Sequence, residues 1–284
     1  MCVDTCNPEL LETLSLEKVD VMSRDCCLSK TPNDFCSLAF RASNVPRILK
    51  RGKNLLSEHT HNSFCVEEAL AYYAEAQTEL RGVWCWASTR KALLPYKTYS
   101  LAAPTSVLDA SHPKRADAYS TVVQATVCNT WRLVLVSLLA IMTNVLRLLI
   151  SHTLQDGTSK YDKEAELLES EIRRLVDDIC ASVPYFMASD NIESILHRYP
   201  HRPGEFITIE HNPRLVSSMA SMLMPIYRAS MIEVVPISQR QWLQHYMLLL
   251  TRNPIEEAQK AWKLELTNGK LTLNEIACDL FDLA

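Results

Sequence analysis

Residues 121–150 read TVVQATVCNTWRLVLVSLLAIMTNVLRLLI, and this stretch decides the fold of the chain. Between Arg132 and Arg147 lie fourteen residues, of which the only polar ones are Ser137, Thr143 and Asn144. No glycine or proline interrupts the stretch, which predicts one long helix. A membrane span needs about 20 apolar residues, whereas a run of about 10–14 is more typical of a buried core helix. We therefore expect this helix at the centre of the protein, covered by amphipathic helices.

The composition favours a globular, core-forming chain. Hydrophobic residues make up 48% of the 284 residues and charged residues 22%, which is ordinary for such proteins. Glycine occurs only five times, which counts against an all-β fold built on tight hairpins. The formal net charge of −4 gives no electrostatic footprint for nucleic acid, so we expect no direct DNA binding by this chain. The local basic clusters are interpreted as solvated helix faces: Arg47, Lys50, Arg51 and Lys53, and Arg90 with Lys91.

The N-terminus and the cysteines indicate an intracellular protein, nuclear or cytoplasmic. The opening MCVDTCNPELLETL lacks the basic start and the unbroken apolar core of a signal peptide. Ten cysteines without an export signal suggest reduced thiols. No Cys-x-x-Cys pair occurs, so a structural zinc site lacks its usual anchor. We interpret the cysteines as mostly small buried hydrophobes, and predict no metal, no cofactor and no membrane association.

The rest of the chain divides into an irregular N-terminal segment, residues 1–65, and a helical domain, residues 66–284. A helix is predicted from residue 66, with an apolar stripe of Val66, Leu70, Tyr73, Ala74, Gln77 and Leu80. The prolines of residues 95–117 predict a long connector. Another amphipathic helix follows Asp156-Gly157 and is limited by Pro184; its apolar face comprises Leu168, Ile172, Leu175, Val176, Ile179 and Val183.

The last seventy residues carry successive helix-start signals. Asn212-Pro213 predicts a helix in which Pro225 causes a kink or a break. Ser238 with Gln241 has the spacing of a capping box, flanked by Ile237 and Trp242 as a hydrophobic staple. Two further starts are predicted at Asn253-Pro254 and at Thr272. The fold class expected from the whole pattern is all-α, an irregular multi-helix bundle around the central hydrophobic helix.

Three blocks of the sequence resemble the C-terminal regulatory region of fungal zinc binuclear cluster transcription factors and related uncharacterised fungal proteins. The first is CNTWRLVLVSLL (128–139), in which a Trp and an Arg precede an apolar run. The second is ICASVPYF (179–186), and the third is SMLMPIYRASMIEVVPISQRQWLQHYMLLLTRNPIEEAQKA (221–261). Their order and separations agree with that region, and the resemblance covers residues 66–265. The residues that carry it are Trp131, Arg132, Ile179, Cys180, Pro184, Tyr185, Pro225, Arg240 and Trp242.

The resemblance implies a helical regulatory domain that responds to a small-molecule effector or a protein partner. The six-cysteine DNA-binding cluster of those transcription factors is missing from this chain, so sequence-specific DNA binding is not carried over. The chain also reads Asn253-Pro254-Ile255 where the family has a Gly-Ile turn, and Met224 where it has a Trp. We further expect Trp131, Arg132, Arg240 and Trp242 to help join the central and C-terminal helices.

Two other classes of function remain open: a helical scaffold without an effector, and a terpene-cyclase-like enzyme. Such enzymes hold Mg²⁺-diphosphate through clustered carboxylates and a later Asn/Ser/Glu set. Asp177-Asp178 offers part of the first group; candidates for the second are Asn191, Glu193 and Ser194. The third carboxylate is absent, and we interpret the aspartates as solvated or capping. No nucleophile elbow, phosphate-binding loop or His-Glu-x-x-His helix occurs, and the scattered histidines define no site: His197, His201, His211 and His245. A Cys-His nucleophile formed in space stays possible.

Overall fold

The computed structural model describes residues 34–59, 64–90, 96–100, 115–153, 160–186 and 213–252. The helices in this part of the chain are α1 (Asp34–Arg41), α2 (Val45–His59), α3 (Val66–Arg90), α4 (Val122–Thr153), α5 (Lys160–Phe186), α6 (Pro213–Ser230) and α7 (Ile237–Arg252). Two short strands, β1 (Tyr96–Ser100) and β2 (Arg115–Tyr119), form one antiparallel sheet. The prediction of a mostly helical protein around a central apolar helix is confirmed.

Helix α4 is the predicted central helix. It runs without interruption for 32 residues, and its side chains from Leu133 to Leu146 are almost all buried. It is the one helix in the described ranges that is long and apolar enough to cross a membrane. An 18-residue window of this helix has a mean hydropathy of 2.4, and 72% of that window is buried inside the protein. Burial of this extent is what a core helix requires, because its apolar surface is covered by other parts of the chain.

The described residues fall into two compact units. The first contains α1–α3, residues 134–153 of α4 and residues 160–173 of α5. The second contains the hairpin, residues 122–133 of α4, residues 174–186 of α5, and the helices α6 and α7. The predicted boundary at residue 65 has no counterpart in this division, since residues on both sides of it belong to the first unit.

The first unit corrects the prediction of an irregular segment before residue 66. Helices α1 and α2 lie there, and both bury apolar side chains: Leu38 of α1, and Val45, Ile48, Leu49 and Leu55 of α2. Pro46 and Gly52 are residue types that usually disfavour a helix, but both are compatible with α2. Pro46 occupies its first turn, where a missing N–H is tolerated. Gly52 lies where an added Cβ would come within 2.4 Å of the Tyr72 hydroxyl, so glycine permits the close approach of α2 and α3.

Two arginines of the predicted solvated face pair with a carboxylate instead. Arg47 and Arg51 each lie 2.6 Å from a different oxygen of Glu75 on α3. These hydrogen bonds hold the pKa of Glu75 below its usual value. The basic cluster on α2 therefore belongs to the contact between α2 and α3, while Lys50 remains exposed.

The buried face of α3 is offset from the predicted stripe. Leu70 is 39% exposed and Ala74 is also exposed. The residues that face the core are Ala69, Tyr72, Tyr73, Ala76, Leu80 and Val83. The predicted stripe counts Val66 as a core position, whereas the first core residue of the helix is Ala69.

The predicted apolar face of α5 is confirmed: Leu168, Ile172, Leu175, Val176, Ile179 and Val183 are each at most 1% exposed. The helix ends at Phe186, two residues beyond Pro184. Residues 95–117, predicted to be a connector, include β1 and the beginning of β2, and in this hairpin Tyr96 pairs with Tyr119 and Thr98 with Asp117. The prolines that predict a connector, Pro95, Pro104 and Pro113, lie outside the described residues.

The C-terminal helices differ from the prediction in two respects. Helix α6 starts at Pro213 as expected, and it continues through Pro225 to Ser230, so of the two predicted effects of Pro225 the break is wrong and the kink stays a prediction. Helix α7 starts at Ile237, before Ser238, and the Arg240 amide donates to the Pro236 carbonyl at 3.0 Å. Ile237 is 66% exposed, so the predicted capping box and staple are wrong. The predicted starts at Asn253-Pro254 and Thr272 lie outside the described residues.

Candidate functional site

The second unit contains a buried polar network centred on Arg132 of α4. One face of the hairpin is directed at Arg132. Because side chains alternate along a strand, this face carries two cross-strand pairs, Tyr96 with Tyr119 and Thr98 with Asp117. These four residues form the buried network together with Asn129 and Arg132. The guanidinium donates to the Tyr119 hydroxyl at 2.7 Å, and its central carbon lies 5.6 Å from the Tyr96 ring centroid and 6.0 Å from that of Tyr119. Both rings thus add cation–π stabilisation to this cation.

Arg132 and Asp117 form an ion pair that is wholly removed from water. Both side chains are 0% exposed, and Nη2 of Arg132 lies 3.6 Å from Oδ2 of Asp117. The other carboxylate oxygen accepts a hydrogen bond from Thr98 at 2.9 Å. Burial raises the pKa of Asp117 by more than the neighbouring Arg132, Arg115 and Thr98 lower it. The pair fixes the hairpin to α4, and its ionised form carries a desolvation cost.

Asn129, one helical turn before Arg132, extends the network to two other helices. Its carbonyl oxygen accepts from Arg132 at 2.9 Å. Its amide donates to Ser182 of α5 at 2.9 Å and to the sulfur of Met222 of α6 at 3.1 Å. Because Asn129 and Ser182 are both buried, each of these bonds replaces water that the fold excludes.

Asp178 corrects the interpretation of the aspartate pair as solvated. Its side chain is only 5% exposed, and it pairs with Arg115 of β2 and with Arg174, the latter at 3.1 Å. Asp177 is exposed, and it accepts a hydrogen bond from Gln239 of α7 at 2.6 Å. Both carboxylates are thus engaged by donors of the chain. The other residues of the diphosphate hypothesis, Asn191, Glu193 and Ser194, lie outside the described residues.

Cys180 of α5 is a buried thiol beside Gln239 of α7, whose amide lies 3.6 Å from the sulfur. Burial raises the pKa of this thiol well above its usual value, so it stays protonated and is a poor nucleophile. His245 is exposed on α7, and the remaining candidate histidines, His197, His201 and His211, lie outside the described residues. Within the described ranges, no group of three or more His, Cys, Asp or Glu side chains is placed to hold a metal ion.

The residues singled out by the family resemblance have different surroundings. Arg132 is the centre of the buried network, Cys180 is buried beside Gln239, and Tyr185 packs edge-on against Tyr119 with 5.3 Å between ring centroids. Trp131, Ile179, Pro184 and Pro225 are buried. Trp242 packs on Tyr246 of its own helix at 4.4 Å between centroids, and Arg240 is half-buried. The proposed joining role of Trp131, Arg132, Arg240 and Trp242 stays a prediction.

Sequence reasoning missed most partners of Arg132 and Asn129. Asp117 lies in the predicted connector and Tyr119 just after it, whereas Ser182 and Met222 lie in the second and third blocks of the family resemblance. The usable signal was Asn129 with Arg132, because two strongly polar side chains one turn apart in an apolar helix require buried partners. That signal shows that partners exist, but the partners themselves come from distant segments.

Comparison with known proteins adds no relative: no family model, no curated protein and no solved structure matches this chain.

Proposed function

We propose that this chain is a helical regulatory domain of the transcription-factor type, which lacks a DNA-binding module of its own and acts in the nucleus or cytoplasm through a protein partner or a small-molecule effector. The observation that supports the proposal most directly is that the three sequence blocks resembling such a domain contact one another in the second unit. A resemblance carried by unconnected surface segments would offer no such support.

Each contact joins blocks that are far apart in the sequence. Asn129 of the first block is 53 residues from Ser182 of the second and 93 residues from Met222 of the third. Gln239 of the third block bonds Cys180 of the second across 59 residues. The blocks are therefore parts of one buried arrangement, as expected of a domain whose function depends on an integral core.

The charge of the chain supports a role without direct DNA contact. With a formal net charge of −4, phosphate contacts have no general electrostatic driving force. Arg47, Arg51, Arg115 and Arg132 are each paired with a carboxylate of the chain. Recruitment to DNA through a partner is consistent with this distribution.

The proposal is tested by tethering. The full chain is fused to a heterologous DNA-binding domain, and transcription of a matching reporter is measured in fungal cells on several carbon and nitrogen sources. We expect reporter activity to differ from that of the DNA-binding domain alone, and to be reduced by Asn129→Leu, which removes the hydrogen bonds from the first block to the second and the third. The matched control is Glu67→Gln, which changes an exposed side chain at the start of α3.

Expression of each fusion is checked by immunoblot, so that a folding loss is not mistaken for a loss of regulation. Reporter activity equal to that of the DNA-binding domain alone in every medium, with the fusion expressed and folded, would refute the regulatory function.

A further inference from the structure

The hairpin is attached to the helices of the second unit by charged and aromatic side chains. Arg132 of α4 reaches Asp117 and Tyr119, and Asp178 of α5 receives Arg115. Ala116, Asp117 and Tyr119 of β2 are buried, whereas Lys97, Thr98 and Ser100 of β1 are exposed. A two-stranded hairpin is marginally stable by itself in water, so its position against the helices depends on these contacts. We call this docked arrangement the closed position.

The closed position leaves one polar atom poorly satisfied. Oδ2 of Asp117 is buried, and it has no hydrogen-bond donor among the described residues. Its nearest cationic neighbour, Nη2 of Arg132, is 3.6 Å away, beyond the usual range of a hydrogen bond to a carboxylate. A buried ionised oxygen without a donor destabilises the state that buries it, and hydration relieves this cost when the carboxylate reaches water.

We propose that the β1–β2 hairpin is a releasable flap over Arg132, held closed most firmly when Asp117 is protonated and less firmly when Asp117 is ionised. Opening moves the carboxylate into water and exposes the guanidinium of Arg132. This inference concerns a conformational device of the fold, and it does not rest on the proposed function.

The direction of the pH effect follows from the pKa of Asp117. Burial raises it in the closed state, while in an open hairpin the carboxyl group is expected near its ordinary value of 3.8. A group that binds its proton more tightly in the closed state favours closure at low pH. The stability of the closed state therefore falls as the pH rises from about 4 through the raised pKa, by at most about tenfold in the opening constant per pH unit, the limit for one proton.

The groups that face Asp117 do not reverse this direction. Arg132 of α4, Arg115 of its own strand and Thr98 of β1 favour its ionised form, and Asp178 of α5 disfavours it. All four effects are smaller than that of burial. Burial also raises the pKa of Tyr119 well above its usual value, so this hydroxyl stays neutral over the same interval.

The experiment is hydrogen–deuterium exchange of the full chain, analysed by mass spectrometry from about pH 4 to about pH 8 and corrected for the intrinsic exchange rate. We expect protection of the amides in residues 96–100 and 115–119 to fall with pH, while protection of residues 174–186 of α5 changes little. Asp117→Asn, which cannot ionise, should make hairpin protection independent of pH. Glu67→Gln serves as the matched control and should behave like the wild type.

A second variant keeps the test decisive if Asp117→Asn does not fold. Thr98→Val removes the donor to Oδ1 of Asp117 at an exposed position, so the ionised form is stabilised less in the closed state. Its hairpin should lose protection over a wider pH interval than the wild type. Hairpin amides as protected as those of α5 at every pH, or a pH dependence that persists in Asp117→Asn or is unchanged in Thr98→Val, would overturn the proposal.

Discussion

Asn129 donates a hydrogen bond to Ser182 across 2.9 Å, and this contact joins α4 to α5 where both side chains are at most 1% exposed. The same asparagine accepts from Arg132, so it connects a neutral helix–helix contact to a buried ion pair. In a dry interior such a network is stabilising only while each member keeps its partner. Substitutions of its different members should therefore lower the free energy of unfolding by different amounts.

Asn129→Leu should lower the free energy of unfolding by about 2–3 kcal/mol, because it removes an acceptor from a buried guanidinium and leaves Ser182 with one partner fewer. Ser182→Ala should cost less, about 1–2 kcal/mol, since the Asn129 amide retains the sulfur of Met222. Urea denaturation measures both. Thr126→Ala, which removes a half-buried hydroxyl contact to Ser221, is the control and should have the smallest effect. A reversed order of the first two would contradict the network as described.

Arg132→Met should destabilise the protein by about 3–5 kcal/mol, because Asp117 is then buried without its counter-charge. Adding Asp117→Leu should recover much of this loss, since replacing both members of a buried pair by apolar groups is often neutral or stabilising. Chemical denaturation of the two single variants and the double variant gives the coupling between them. Additive effects would show that the two side chains do not act as a pair.

Glu79→Gln should stabilise the first unit relative to the wild type, and more so at about pH 7 than at about pH 4. Burial raises the pKa of Glu79 by more than Arg41 and Arg47 lower it, so the folded state binds this proton more tightly than the unfolded state does. The contribution of Glu79 to the free energy of unfolding is therefore greatest at low pH, and it is lost as the pH rises through the raised pKa of Glu79. Unfolding curves across that interval measure the difference, and a gain that shrinks with rising pH would be the contrary result.

Gly52→Ala and Gly82→Ala should differ although both glycines are in helices. A Cβ at Gly52 would lie 2.4 Å from the Tyr72 hydroxyl and 2.7 Å from Ile141, so we expect a loss of about 1–3 kcal/mol from overpacking. A Cβ at Gly82 would meet the end of the Arg41 side chain, which can swing away. The helix preference of alanine, about 1 kcal/mol, should offset the loss of the half-buried Arg41–Glu79 pair. Thermal unfolding of the two variants tests this order.

Trp242→Ala should cost about 3–5 kcal/mol, because the ring is only 7% exposed and its removal leaves a large cavity beside Tyr246. Gln241→Ala, at an exposed position next to it on α7, is the matched control. The melting temperatures of the two variants should separate clearly. A melting temperature of Trp242→Ala equal to that of the wild type would show that the ring does not contribute to the core.

Much of the fold could be predicted because its signals are local. The uninterrupted apolar run predicted α4, and the three-and-four spacing predicted the buried face of α5 residue by residue. Prediction was weakest where local signals were ambiguous. Pro46 and Gly52 lie within α2 in the segment predicted to be irregular, and Pro225 lies within α6. A proline or a glycine in a helix costs free energy, and only packing decides whether that cost is accepted.

In the candidate site, too, some features follow from the local sequence and others only from the tertiary structure. The sequence by itself determined the mostly helical class and placed Asn129 and Arg132 on an apolar helix, because periodicity and composition act over neighbouring residues. Only the tertiary structure decided that Asp117, Tyr119 and Ser182 complete the network. Their pairing depends on which distant segments exclude water together, and the strength of an ion pair or a hydrogen bond is set by that exclusion. The charge state of Asp117 is likewise a property of its burial, and no local pattern encodes it.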